Sequence, residues 1–443
     1  MYLASLRAMA LGAVLNLVAG PLAALGLIRD PDIEYALEQL ARPVLQAAGL
    51  PAGQIKIIIV DDRRPNAFVA DGSAIFIHYG LILQLETAAQ LQAVIAHEAA
   101  HIAGGHITQR ALALRASRNA VGFGILAAAL AAAYGGGEAA AGIAAGTAGS
   151  ATRVLFAHTR AQEASADQAS IRYLIAAGID PKAAVEVTEI FLGQEALSVG
   201  RQDPYMRTHP LTRDRFRTLS GLVAANPGNP GDSSAADYWF ARAQGKLSAF
   251  TQSPQWTLRQ VRGKTDLVST LRRAVALHRR PDPAAAISTM QALTAAQPGD
   301  PFLWELYGQI LLENRNAEAA VAAYGRAAEL APGNALILGG LGRALLAQDT
   351  GPSNARALDV LERARARDPL DARILRDLGL AYARAGRTGE ASLATAERYA
   401  LTGRFEDAVL HATRARDLLP RGSAAWQRAM DVLSAAETAI PRR

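Results

Sequence analysis

With 443 residues, half of them apolar, the chain is long enough to bury at least two cores, since single domains mostly run about 100–200 residues. It contains no cysteine, which excludes disulfides, thiolate metal sites, cysteine nucleophiles and a lipid anchor on an N-terminal cysteine, and leaves histidine and carboxylate as metal ligands. The formal charge of +6 is spread along an Arg-rich chain without a long basic run or an aromatic-and-basic motif, so nucleic acid is not an expected partner.

Arg7 precedes an apolar stretch from Ala8 to Ile28, broken by Asn16 and Pro21, and Ala24-Leu25-Gly26 supplies small residues at a cleavage spacing. This is the pattern of a secretory signal over 1–26, or of a membrane anchor where it is not cleaved, and either places the bulk of the chain outside the cytosol. From Asp32 to Ala48 the apolar residues recur at helical spacing. Ile55 to Val60, Asn66 to Ala70 and Ala74 to His78 are short β-rich runs separated by turn residues, which predicts a small antiparallel sheet whose last two strands form a hairpin. Thr87-Ala88-Ala89-Gln90 fits a capping box and opens a helix that carries His97-Glu98-Ala99-Ala100-His101.

An Ala/Gly-rich segment follows at 119–151, read as packed helices or as a place of peripheral membrane contact. A further helix is predicted from Thr159 to Ala177, stopped by Gly178 and Pro181, and the Pro/Gly/Asp/Ser-rich stretch from Asn226 to Ser234 reads as a linker. Beyond residue 266 the chain repeats. Pro298, Pro332 and Pro369 recur at about the 34-residue period of tetratricopeptide helix pairs, with the loop Asp349 to Asn354 absorbing extra residues. One unit carries Trp304, Tyr307, Gly308, Leu311, Ala320, Tyr324 and Ala327; the next carries Leu341, Gly342, Leu345, Ala357, Leu361 and Ala364. The pattern slips before Pro420, so the array is expected to be short and irregular at its end. Stacked helix pairs present a surface for peptides or other proteins.

Residues four apart on a helix share a face, so His97 and His101 can place two ring nitrogens on one metal, with Glu98 beside them to take a proton from water. Zinc in such sites takes three protein ligands. His106 lies five residues past His101 and points away from the metal on a continuing helix. Glu163 is the better third ligand, and Asp167, four residues on, reaches back to the free ring nitrogen of a ligating histidine.

Asn66-Ala67-Phe68, the His97 to His101 motif, Arg160 with Glu163 and Asp167, and Thr208-His209-Pro210 with Arg215 resemble the ordered signatures of the HtpX and CAAX-prenyl-protease family of gluzincins. The export signal and the repeats narrow the resemblance to its soluble periplasmic BepA-type members, which act on outer-membrane proteins during assembly. The resemblance implies one Zn2+ per chain held by His97, His101 and Glu163, with Glu98 as catalytic base. It also implies that Asn66, Ala67 and Phe68 lie on a strand to which an extended substrate adds, and that His209 and Arg215 approach the zinc to stabilise an oxyanion. His209 has a second possible role, filling the open metal position and holding the enzyme latent. His158 and Thr159 depart from the family's tyrosine-serine pair.

The expected fold is α+β and mainly helical: a gluzincin metalloprotease domain with a small antiparallel sheet at 27–225, a linker and connecting helix at 226–265, and an all-α tetratricopeptide array at 266–443. The expected function is hydrolysis of peptide bonds in unfolded or misassembled envelope proteins in the periplasm, with the repeats recruiting substrate or outer-membrane assembly machinery. Two rivals are a chaperone or assembly scaffold with a mostly latent zinc site and an integral-membrane protease.

Overall fold

The computed structural model describes residues 26–70, 72–106, 160–193 and 203–440. The expected signal at 1–26, apart from Gly26, and the expected membrane contact at 119–151 lie outside them. Among the described residues no helix is long and apolar enough to cross a membrane. The chain divides into two compact units, one of residues 34–244 and one of residues 245–440 with the stretch 26–33. The boundary falls within a single helix, Ser234–Thr251, so only part of the stretch expected as a linker, 226–233, is non-helical.

In the first unit, helix α1 (Pro31–Ala47) buries Leu37, Leu40, Ala41, Val44 and Leu45 as its periodicity predicts. Three strands follow: β1 (Lys56–Val60), β2 (Ala67–Val69) and β3 (Ala74–His78). β2 and β3 form the expected antiparallel hairpin, with Ala67 opposite Ile77 and Val69 opposite Ile75. β1 and β3 are parallel, Lys56 opposite Ala74 and Val60 opposite His78, so the sheet is mixed and not antiparallel throughout. The chain leaves β1, passes to the far edge as β2 and returns between the two as β3, which therefore runs with β1. Its central place explains why all five residues of β3 are buried, while β2 remains an edge strand.

After the short helix α2 (Tyr79–Gln84) comes α3 (Ala88–Ala103), which is buried over almost its whole length and packs against β2 and β3. Its alanines at 93, 96, 99 and 100 permit this burial. Thr87 caps it by accepting from the amide of Gln90 at 3.2 Å, but the Gln90 side chain accepts from the amide of Glu86, one residue before the cap. The start is therefore a variant of the capping box. α3 ends at Gly104, and Gly105, with φ +62°, turns the chain sharply. Helices α4 (160–176), α5 (Lys182–Ile190), α6 (Pro204–Thr208) and α7 (Arg213–Ala225) follow, α4 and α5 packing against α3 and α7 against α5.

The second unit holds five consecutive helix pairs among the described residues, beginning at Leu267, Pro301, Ala335, Ala372 and Phe405. Pro298, Pro332 and Pro369 lie between pairs, and the small motif residues sit at helix crossings. A methyl group added at Gly308 would stand 2.6 Å from the Tyr324 ring, and one at Gly340 2.3 Å from its other edge, so Tyr324 is clamped between two helices that only glycine lets approach.

Two expectations are corrected here. The residues after Gln348 do not form a loop to Asn354. Thr350 caps a helix starting at Gly351 and the extra residues lengthen it to 17, Pro352 being tolerated in the first turn. Nor does the array end irregularly: Pro420 falls inside the last pair, between Phe405–Leu418 and Ala424–Ala439, and not between pairs.

Candidate metal centre

α3 supplies three side chains from one buried face: His97, Glu98 and His101 are 6%, 0% and 4% exposed. α4 brings Glu163 alongside. His209 enters from the turn after α6, which is fastened to the strand side of the unit by Tyr205 N donating to Pro65 O at 3.2 Å and by the Thr208 hydroxyl donating to Asn66 Oδ1 at 3.0 Å. One ligand atom from each of His97, His101, Glu163 and His209 falls in a group spanning no more than 4.8 Å. His97 Nε2 and His101 Nε2 stand 3.1 Å apart, each 3.3 Å from a Glu163 oxygen, and His209 Nδ1 is 3.2 Å from His97 Nε2 and 3.1 Å from Glu163.

The outer nitrogens of both rings also have partners. His97 Nδ1 faces Asp167 Oδ1 at 3.2 Å, and His101 Nδ1 faces His106 Nδ1 at 3.0 Å. Both Nε2 atoms and a carboxylate thus face one point, an arrangement suited to a cation. Burial and neighbouring charge also set the titration of the rings. Burial disfavours charge on His97, yet hydrogen bonds that the ring donates to Asp167 and Glu163 outweigh it and raise its pKa to about 10. His101 is pushed down to about 4, chiefly by burial. Burial works against ionisation of Glu163 too, but the three imidazoles hold its carboxyl well below the usual range. Glu98 is fully buried, with its Oε1 3.2 Å from His209 Nε2. Three or four nitrogen and oxygen donors, no sulfur and a buried carboxylate beside them fit zinc.

Arg215 is placed by the capped start of α7, where Thr212 Oγ1 accepts from its amide. Its Nε and one terminal nitrogen donate to the two oxygens of Asp167 at 2.6 and 2.8 Å, and the other terminal nitrogen lies 3.0 Å from Glu163. Burial raises the Asp167 pKa, but this bidentate pair with His97 brings it down to about 2. The guanidinium thus engages both carboxylates, Asp167 and Glu163. Sequence reasoning set His106 aside as a ligand because it points away from the metal on a continuing helix. The helix ends at Gly104, so the ring folds back onto His101 as its hydrogen-bond partner, and the Gly104-Gly105 pair was the available signal. Of the strand residues, Asn66 holds Thr208, the Ala67 carbonyl accepts from His209 Nε2 at 3.2 Å, and Phe68 stacks on Phe76 at 5.2 Å.

Residues 28–223 match the family model of Peptidase family M48. The chain carries an M48 peptidase domain. It is a zinc metalloendopeptidase domain, and the donor set above is the one such chemistry needs. A putative beta-barrel assembly-enhancing protease of Vibrio cholerae serotype O1 is 28% identical over 251 residues, 51% of this chain and 50% of that relative. The chain thus spans half the length of that relative. The beta-barrel assembly-enhancing protease of Escherichia coli strain K12 is 25% identical over 410 residues, covering 90% of this chain and 81% of the relative. Among solved structures, MamA matches 40% of the chain and 95% of its own length at 19% identity, with a TM-score of 0.30.

Proposed function

We propose that this M48 peptidase is a periplasmic endopeptidase that hydrolyses peptide bonds of unfolded or misassembled outer-membrane proteins, and that its helix pairs recruit substrate or the assembly machinery. We assign the catalytic domain to 27–225 and the repeats to 266–443, joined by 226–265. The observation that carries the catalytic part is the convergence of His97, His101 and Glu163 on one buried point with the Glu98 carboxylate beside it. The substrate class rests on the relatives, which are named as beta-barrel assembly-enhancing proteases and match this chain over both units.

Zinc held by His97, His101 and Glu163 would polarise the scissile carbonyl and lower the pKa of water. Glu98 takes the proton from the attacking water and delivers it to the leaving amine. Asp167 fixes the tautomer of His97, and Arg215 in turn fixes Asp167 and Glu163. β2, at the edge of the sheet among the described residues, offers Asn66, Ala67 and Phe68 as the strand beside which an extended substrate can lie.

A second reading, a scaffold whose site is latent at rest, draws support from one feature. His209 stands inside the donor group, so four protein ligands would leave no open position for water.

The test is zinc content and casein cleavage of wild type beside Glu98→Gln and Glu163→Ala, purified without chelator. About one zinc per chain, cleavage lost in Glu98→Gln with zinc retained, and zinc lost in Glu163→Ala are expected. Zinc without cleavage by wild type would favour the latent scaffold, and absence of zinc would end the protease reading.

A further inference from the structure

Between Pro254 and Leu277, in the repeat-bearing unit, the chain has five basic residues, Arg259, Arg262, Lys264, Arg272 and Arg273, and one carboxylate, Asp266. That carboxylate is engaged: it caps the helix Leu267–Arg279 by accepting from the Ser269 amide at 2.9 Å. Arg273 draws the intervening turn onto the helix by donating to Val261 O at 2.8 Å and Lys264 O at 2.6 Å. The turn carries Arg262 and Lys264, both exposed, beside exposed Arg259. Arg272 is held differently. Its stem lies on Gly245, where an added methyl group would come within 3.2 Å of Cδ, and its guanidinium stands 5.9 Å from the centre of the Trp256 ring. Its Nε is buried with no hydrogen-bond partner, and burial lowers its pKa, as expected of a guanidinium without an acidic partner in contact. Trp256 itself remains 36% exposed.

We infer that this face is a docking surface for an anionic phospholipid surface, with Arg259, Arg262, Lys264 and Arg272 meeting headgroup phosphates and Trp256 entering the interfacial layer. Phosphate is the anion that guanidinium forks match. An indole with one face on a cation and an edge exposed has the amphipathic character that membrane interfaces accommodate. An acidic polypeptide could satisfy the charges, but it gives no account of the exposed tryptophan among them.

The experiment is co-sedimentation of the full chain with vesicles of phosphatidylcholine alone or with about one third phosphatidylglycerol, at low and high salt. The variants are the triple charge reversal Arg259→Glu/Arg262→Glu/Lys264→Glu and, separately, Trp256→Ala. Each basic residue near such a surface contributes about fivefold, so the triple reversal is expected to lower partitioning to the anionic vesicles by about a hundredfold or more. Trp256→Ala is expected to weaken binding to the same vesicles while keeping its salt dependence. The three reversed residues are exposed, so an unchanged melting curve serves as the folding control. Equal binding to both vesicle types, no binding to either, or retention of the anionic preference by the triple variant would overturn the proposal. So would capture of polyglutamate in preference to the anionic vesicles, which would assign the surface to an acidic polypeptide.

Discussion

At the scale of single residues the centre is built in layers, each holding the next. Arg215 reaches Asp167 through two hydrogen bonds, Asp167 faces His97, and His97 aims Nε2 inward. A residue that positions a ligand affects metal affinity first, whereas an oxyanion donor affects turnover at constant metal content. Arg215→Met is therefore expected to weaken zinc binding by about 10–100-fold. Much of the activity should return when zinc is supplied in excess, as measured by metal-buffered titration with turnover. Unchanged affinity with a lower kcat would restore the oxyanion role. His209→Ala separates the two roles proposed for that ring. If the ring closes the metal position at rest, basal casein cleavage rises several-fold; if it stabilises the oxyanion, cleavage falls by about 10²–10³. The rise is the outcome expected from its place inside the donor group. The candidate ligands were legible because i, i+4 spacing fixes a helical face whatever surrounds it. His106 was not, because its place depends on where α3 stops.

At the scale of elements the sequence pattern predicted existence better than pairing. Three β-rich runs were visible, and the hairpin with them, but the parallel pairing of β1 and β3 depends on which strand the chain inserts between which, and alternation does not encode that. The repeats were legible for a stronger reason: each pair must bury the same face against its neighbour, so large and small residues recur at fixed positions. Pro420 misled because a proline marks any break between helices, not specifically the break between pairs. Tyr324 tests the crossing argument. Gly340→Ala would force a methyl group to within 2.3 Å of the Tyr324 ring, and overpacking of this kind costs about 1–3 kcal/mol. A lower midpoint in urea with an unchanged slope is expected, and Tyr324→Leu in the same chain should recover part of the loss. Additive effects of the two substitutions would show that the clamp is not the cause.

Across the whole molecule, segments distant in sequence meet at one buried ionic knot in the repeat-bearing unit. Lys246, fully buried, lies 2.9 Å from Asp30, 3.7 Å from Asp32 and 3.8 Å from Glu305. Three carboxylates around one ammonium, with Arg373 further off, cannot all ionise cheaply. Burial raises the Glu305 pKa, and Asp30 and Asp32 add to the rise against the pull of Lys246, so it stands at about 8. In the unfolded chain the same carboxyl titrates near its ordinary value, so between those two pH values the folded state binds the extra proton. A raised folded pKa means that the contribution is complete below the unfolded pKa and fades as pH climbs through about 8. Stability is therefore expected to fall from about pH 5 to pH 9 by an amount on the order of a few kcal/mol. Glu305→Gln keeps the shape without the titration, so its unfolding free energy should fall less steeply over the same window and exceed that of wild type at pH 9. Urea unfolding of both chains at closely spaced pH values reads this directly. If the wild-type slope survives unchanged in Glu305→Gln, Glu305 is not the group that takes up the proton.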